Sequence, residues 1–188
     1  LTYENFMVTD YSGTHITSSA KVGPTIADDI KKSSVYAGIM ALLLIFVYIL
    51  IRFNKWQYSF GAVLALFHDA MVVLTVFSLL HGILPFSMEV DQTFIAAILT
   101  VIGYSINDTV VIFDRIRENF GLYTGKTKNE ILNMSLNSTM SRTLITALTV
   151  FFVVLALFFF GGASIKGFAF ALVVGLISGT YSTVFIAA

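Results

Sequence analysis

Three ionisable side chains, Asp69, Asp108 and Arg142, lie within or at the edge of long apolar runs of this sequence. A charged side chain at the centre of a membrane helix costs roughly 2.5–3.5 kcal/mol on insertion scales, so it normally faces protein or a wet cavity. Membrane transporters use buried carboxylates of this kind as proton relays. We therefore take these three residues as candidates for proton coupling, with Asp108 as the leading one.

Asp108 stands in the stretch "GYSINDTVVIFDRIREN", which begins at Gly103. Charges return only at Asp114, so the carboxyl lies roughly 9 Å inside the apolar run at about 1.5 Å per residue. The side chain is too short to reach water, and its neighbours Tyr104, Ser105 and Asn107 form a broad polar arc. Either Asp108 only hydrogen-bonds another helix, or it gains and loses a proton during a cycle. We favour the second interpretation.

Arg142 begins the next long apolar run. It could place its guanidinium at the lipid phosphates, or it could line the same polar interior as Asp108. A polar stripe along one helix face favours the interior: Ser135, Ser138 or Thr139, Arg142, Thr146 and Thr149. Burial favours the neutral acid at Asp108, whereas a nearby guanidinium favours the carboxylate. A small movement could then switch the protonation state.

Asp69 lies near the middle of its apolar run, next to His68. Adjacent residues point about 100° apart on a helix, so we do not expect a simple pair. Asp69 could be functional or could bridge helices. An aspartate dyad of Asp69 and Asp108, as in a membrane protease, would need a GxGD-type sequence, which "GYSIND" does not supply. No other catalytic motif is present, so we expect no enzyme activity.

Composition indicates an all-α polytopic membrane protein. Hydrophobic residues make up 57% of the 188 residues and charged residues 12%, about half the share in soluble domains. The chain has no Cys and three scattered His, so we expect no metal and no cofactor. A net charge of zero gives no reason to expect nucleic acid. Five runs can span a bilayer, at approximately 33–53, 58–80, 92–113, 142–162 and 166–187.

The remaining segments predict how the chain is organised around the membrane. Residues 1–22 are polar and partly alternating, which suggests the C-terminal remnant of an external β-containing domain ahead of a transmembrane domain at 23–188. Residues 126–139 suggest a short cytoplasmic interfacial helix. Lys and Arg are concentrated in 52–57 and 114–141, so the positive-inside rule places these segments in the cytoplasm and 81–91 outside.

Small residues recur every four positions in the last run, at Gly167, Ala171, Gly175 and Gly179. Such a stripe lets another helix approach closely, so we predict helix packing there. Gly103, which opens the polar arc around Asp108, is a further candidate for close packing.

The stretch "GYSINDTVVIFDRIREN" resembles the signature of the SecF family of bacterial protein-export subunits. Four further segments resemble the family in the same order, and together the resemblance covers essentially residues 20–188. They are "VGPTIADDI", "FGAVLALFHDAMVVL", "NSTMSRTLITALTVFFVVLALFFFGG" and "IKGFAFALVVGLISGTYSTVFIA".

The resemblance implies an RND-like helix bundle, here with five of the family's six membrane helices, in the bacterial cytoplasmic (inner) membrane. It implies that the proton-motive force promotes translocation of unfolded preprotein, alongside or after the step performed by SecYEG and SecA. The implied partners are SecD, separate or fused, the SecYEG translocon, membrane lipid and, as an optional further partner, YajC.

The family's implicated charged residues correspond to Asp108 and Arg142. Asn107 stands where the SecD signature has its Asp, so we take it as a fourth candidate for the proton-coupling site. Two alternatives remain: an RND-type exporter of small molecules or lipids, and a structural membrane subunit without its own proton site.

Overall fold

The computed structural model describes residues 24–188, and its helices follow the five apolar runs of the sequence. The described part contains no strand, and each of its five helices is long and apolar enough to cross a membrane. The predicted β-containing remnant at residues 1–22 lies outside the described residues. The helices are α1 (Pro24–Phe53), α2 (Trp56–Leu80), α3 (Gln92–Leu122), α4 (Lys128–Phe160) and α5 (Ala163–Ser182), and a π-helical turn (Thr183–Ala187) follows α5.

Helix α5 lies at the centre of the bundle and packs against α2, α3 and α4. Its small residues meet neighbouring backbone and side chains closely. A Cβ on Gly175 would overlap the side chain of Val101 on α3, and one on Gly179 would lie 3.3 Å from the Cβ of Ser105. A Cβ on Gly167 would lie 2.8 Å from the carbonyl oxygen of Ser87. The absent side chains at Gly175 and Gly179 therefore set how near α3 can come to α5, and the one at Gly167 sets how near the loop between α2 and α3 can come to α5.

Residues 34–53 of α1 belong to the unit formed by residues 34–188 and make few contacts with its other helices. Only 6% of the most apolar stretch of α1 is buried, whereas 56% of that of the α5 segment is buried. Near its end, Ile49 and Phe53 pack into a cluster with Phe113 of α3. An ion pair of 2.9 Å between Arg52 and Asp114 fixes the same end of the helix. Lipid or another protein must cover the rest of its apolar surface.

Helices α3 and α4 are longer than a bilayer requires. With 31 and 33 residues they extend about 46 and 50 Å, against a hydrocarbon core of about 30 Å. Their ends beyond the core pair with each other, because the Asn119 amide nitrogen donates a buried hydrogen bond of 2.8 Å to the Ser135 hydroxyl.

The structure differs from the sequence-based prediction at α4. We predicted an interfacial helix at 126–139 and a separate span from 142, but Lys128–Phe160 is one continuous helix. Neither Gly nor Pro occurs within this stretch, so nothing in the sequence breaks the backbone hydrogen bonds. The polarity change near residue 140 therefore marks where the helix enters the apolar region.

A capping box starts α4, and its removal should loosen the first turn. The Thr127 hydroxyl accepts from the Glu130 amide, and the Glu130 carboxylate accepts from the Thr127 amide at 2.8 Å. Because loss of a cap costs about 1 kcal/mol, we expect Thr127→Ala to speed amide hydrogen exchange in this turn about fivefold. Thr124→Ala in the same exposed loop is the matched control, and equal effects of both variants would contradict a role for the cap.

Candidate proton-coupling site

Asp108 lies on α3 and is buried, with 3% of its surface exposed. Within the described part of the chain, its Oδ2 atom has no hydrogen-bond partner. The hydroxyl of Tyr104, one turn earlier on the same helix, is also buried and unpartnered. The side chains of Asp108 and Tyr104 both lie near the Thr146 hydroxyl of α4, which donates to backbone oxygens of its own helix. Since buried polar atoms are normally hydrogen-bonded, this poorly satisfied group of oxygens marks a candidate site for water or for a proton.

Arg142 projects from α4 and is exposed, yet it lies within electrostatic reach of Asp108. Among residues 24–188 the two side chains do not form an ion pair. Arg142 instead lines a polar cleft of about 250 Å³ between α3 and α4. The cleft begins at Val111, one turn beyond Asp108, and its other lining residues are Asp114, Arg115, Glu118, Ser138 and Thr139.

The buried polar stripe of α4 differs from the predicted one. Ser135, Thr139 and Thr143 are buried, whereas Arg142 and Thr149 are exposed. The buried positions recur every four residues, whereas the predicted stripe alternated between spacings of three and four. The buried face therefore turns around the helix axis more than the predicted stripe did. The hydroxyl of half-buried Thr146 donates to the backbone oxygen of Arg142 at 3.0 Å. Thus Arg142 lies beside the helix interface rather than within it.

Asp69 on α2 is wholly buried and bridges three helices. The Ser105 hydroxyl of α3 donates to Oδ2 at 2.8 Å, and the Ser182 hydroxyl of α5 donates to the same oxygen at 2.7 Å. The Ser178 hydroxyl, also on α5, donates to Oδ1 at 2.7 Å. Asp69 therefore bridges helices, which is one of the two roles that the sequence allowed. It also has hydrogen-bond partners that Oδ2 of Asp108 lacks.

His68 contradicts the expectation that it would not pair with its neighbour. Its Nδ1 atom lies 3.3 Å from Oδ1 of Asp69. The 100° between neighbouring Cβ directions does not prevent this contact, because rotation about the side-chain bonds brings the two ends together. Ser178 and Ser182 were not predicted as partners of Asp69. Their spacing of four residues beside the glycine stripe was the available signal.

Asn107 and Gly103 are exposed on α3, whereas Asp108 on the same helix is buried. No atom of the described residues lies within 4 Å of the position that a Cβ on Gly103 would occupy. The proton-coupling role of Asn107 and the packing role of Gly103 both stay predictions. Both roles would require contacts with residues or partners other than the described residues.

Comparison with known proteins identifies the family. Residues 3–188 match the family model described as "Protein export membrane protein SecD/SecF, C-terminal". The protein translocase subunit SecF of Rhodothermus marinus is 57% identical over 166 residues, covering 88% of this chain and 54% of the relative. The SecF subunit of Haemophilus influenzae is 46% identical, covering 88% and 49%. The chain thus spans about half the length of these curated relatives.

Solved structures give the same result for the fold. The crystal structure of SecDF, a translocon-associated membrane protein from Thermus thermophilus, matches with a TM-score of 0.78 and 42% identity. That match covers 88% of this chain and 22% of the SecDF chain. A second SecDF crystal structure, in a super-membrane-facing form, matches with a TM-score of 0.76 and 39% identity, covering 90% and 22%. With its five membrane-crossing helices and its match to the family model over nearly its whole length, this chain belongs to the SecD/SecF family of protein-export membrane proteins.

Proposed function

We propose that this chain is the membrane-embedded part of a SecF-like subunit that couples the proton-motive force to preprotein translocation. Translocation would cross the bacterial cytoplasmic membrane, alongside or after the step performed by SecYEG and SecA. The names of the curated relatives support the role in export, and the buried Asp108 supports the coupling to protons.

The unpartnered oxygen of Asp108 is the observation that carries the proposal. A buried carboxylate in this position needs a cation or several hydrogen bonds, whereas the neutral acid carries no charge and is much less costly to bury with few partners. Protonated Asp108 can therefore stay apart from Arg142, as in the present arrangement. Loss of the proton leaves a charge that attracts the guanidinium, and the long Arg142 side chain or a shift of α4 against α3 can bring the two together. Proton binding would thus be linked to helix movement.

The polar cleft between α3 and α4 supplies the other element that proton coupling requires. It lies at the charged ends of the two helices, which the distribution of Lys and Arg places on the cytoplasmic side. Water in this cleft would reach to within one helical turn of Asp108. A proton could then leave Asp108 toward the cytoplasm past Arg142.

SecD, separate or fused, is the proposed partner that covers the exposed faces of α1 and α3. Gly103 offers a site of close approach, since none of the described residues fills the space beside it. We expect Gly103→Leu to leave the thermal stability of the isolated subunit unchanged and to reduce co-purification with SecD at least several-fold. Gly121→Leu, on the same helix and also without neighbours within 4 Å, is the matched control. Undiminished co-purification of the Gly103 variant would place this face toward lipid.

Reconstituted vesicles test the proposed function itself. Vesicles with SecYEG would be compared with and without the full-length subunit and SecD, each with and without an imposed proton gradient. The proposal expects the gradient to increase preprotein translocation only when the subunit is present. An equal response without the subunit would contradict it. If the subunit increases translocation equally with and without the gradient, the purely structural role is favoured. If the gradient drives efflux of small molecules or lipids and preprotein translocation is unaffected, the RND-type exporter is favoured.

A further inference from the structure

The environment of Asp69 matches an ionised carboxylate. Each of its oxygens receives two contacts: Ser178 and His68 at Oδ1, and Ser105 and Ser182 at Oδ2. An ionised carboxylate has about four lone-pair positions and donates nothing, so it can accept from the three serine hydroxyls and, when Nδ1 of His68 carries a proton, from the imidazole as well. A protonated Asp69 would need one of these four contacts to reverse.

The charge of this carboxylate needs compensation, because Asp69 lies in the middle of the 25-residue α2 and has no exposed surface. Serine hydroxyls stabilise an anion but carry no charge themselves. Among the side chains that the structure describes, at residue 29 and residues 32–188, no Lys or Arg touches Asp69, and His68 is the one ionisable side chain that does. An isolated buried charge is unfavourable, whereas a charge paired with a cation is tolerated.

We propose that His68 and Asp69 form a second proton-binding site of this bundle, in which the ionised Asp69 holds an exchangeable proton on the imidazole of His68. The site goes beyond the proposed role of Asp108 and does not depend on it. The ligand is a proton, bound to His68 with Nδ1 donating to Oδ1 of Asp69. The three serines keep the carboxylate in place.

Exposure gives the proton a route to this site. The side chain of His68 is 36% exposed, whereas that of Asp69 is wholly buried. The proton therefore exchanges through the outer edge of the imidazole, where the Tyr181 ring of α5 lies 6.2 Å away between ring centroids. Whatever covers this surface in the assembled complex, lipid or a partner subunit, would control the exchange.

Few other titratable groups face the pair. The elements packed against α2 are α3, α5 and the final π-helical turn, and that turn contains no titratable residue. Tyr181 is the titratable residue of α5 next to His68. On α3, Asp108 follows Ser105 by one turn, but it makes no contact with His68 or Asp69 among the described residues. Helix α1 meets α2 two turns away near Ala62, where Arg52 is already paired with Asp114.

Nitrogen NMR of histidine-labelled, full-length subunit in its assembled complex tests the proposal directly. The His68 resonances are assigned by their loss in His68→Asn, a variant that keeps a donor near Nδ1 but cannot carry the proton, and His81→Asn in the exposed loop is the control. At neutral pH we expect the wild-type His68 ring to give the imidazolium signature. In Asp69→Asn the signature should change to that of neutral imidazole at the same pH.

A neutral His68 ring in the wild-type complex at neutral pH would overturn the proposal, even if the Asp69 variant failed to assemble. An imidazolium signature that persists in Asp69→Asn would also overturn it, since the proton would then not depend on the carboxylate. The Asp108→Asn variant separates this site from the one proposed above. If that variant stops export while the His68 signature is unchanged, the two sites bind protons independently.

Discussion

Asp108→Asn in the full-length subunit should abolish the part of preprotein translocation that depends on the proton gradient. The substitution preserves the size of the side chain and removes its ionisable group. The Asp108 carboxyl is buried and one of its oxygens is unpartnered, so an amide fits without breaking any hydrogen bond of that oxygen. We therefore expect normal assembly with SecD and translocation reduced to the rate without a gradient, measured in vesicles.

Two further variants sharpen this result. Asp108→Glu retains an ionisable group one methylene longer and should restore part of the gradient-dependent rate. Glu89→Gln removes an exposed carboxylate from the loop between α2 and α3 and should have no effect. Full gradient dependence in Asp108→Asn would show that the proton is carried elsewhere. Failed assembly of this variant would show that the carboxyl is needed for structure.

Gly175→Leu should prevent the bundle from forming correctly. Even a Cβ at this position would overlap the Val101 side chain of α3, and both residues belong to well-buried parts of the α3–α5 contact. Adding a few methylene groups to a packed interface typically costs about 1–3 kcal/mol, and here the backbones themselves must separate. We expect loss of folded subunit or a large fall in its thermal unfolding temperature in detergent.

Gly38→Leu is the matched control for that prediction. Gly38 also lies in a membrane-crossing helix, but no atom is within 4 Å of the position of its missing Cβ. We expect this variant to fold with nearly unchanged stability. Equal stability of the Gly175 variant and the wild type would mean that α3 does not approach α5 as closely as in this structure.

The sequence predicted the helices well because membrane spans are defined by long apolar runs and by charges at their ends. Loop 81–91 ends at Asp91, whose side chain accepts from the Phe94 amide. Helix α3 then begins at Gln92, the residue at which we predicted the span to begin. The continuation of α4 from Lys128 was not predicted, because hydropathy detects the apolar region and not the helix. The polar first part of α4 contains no Gly or Pro, so its intrinsic helix propensity allows the helix to extend beyond the membrane.

The candidate site was only partly predictable, because which helix faces a given side chain depends on packing. The cost of a buried carboxylate identified Asp108 and Asp69 in the sequence. That cost is the same for both residues, whereas their surroundings differ: Asp69 has Ser105, Ser178 and Ser182 as donors. Those serines come from two other helices, at sequence separations of 36, 109 and 113 residues, and no local pattern links them to Asp69.

The protonation of Asp108 is most directly measured by infrared spectroscopy of the assembled complex at a series of pH values. Subtracting the spectrum of Asp108→Asn from that of the wild type isolates the carbonyl band of this one carboxylic acid. Our account predicts that the band is present at low pH and disappears as pH rises through the range in which translocation depends on the proton gradient. A carboxyl that stays in one protonation state throughout that range would contradict the account.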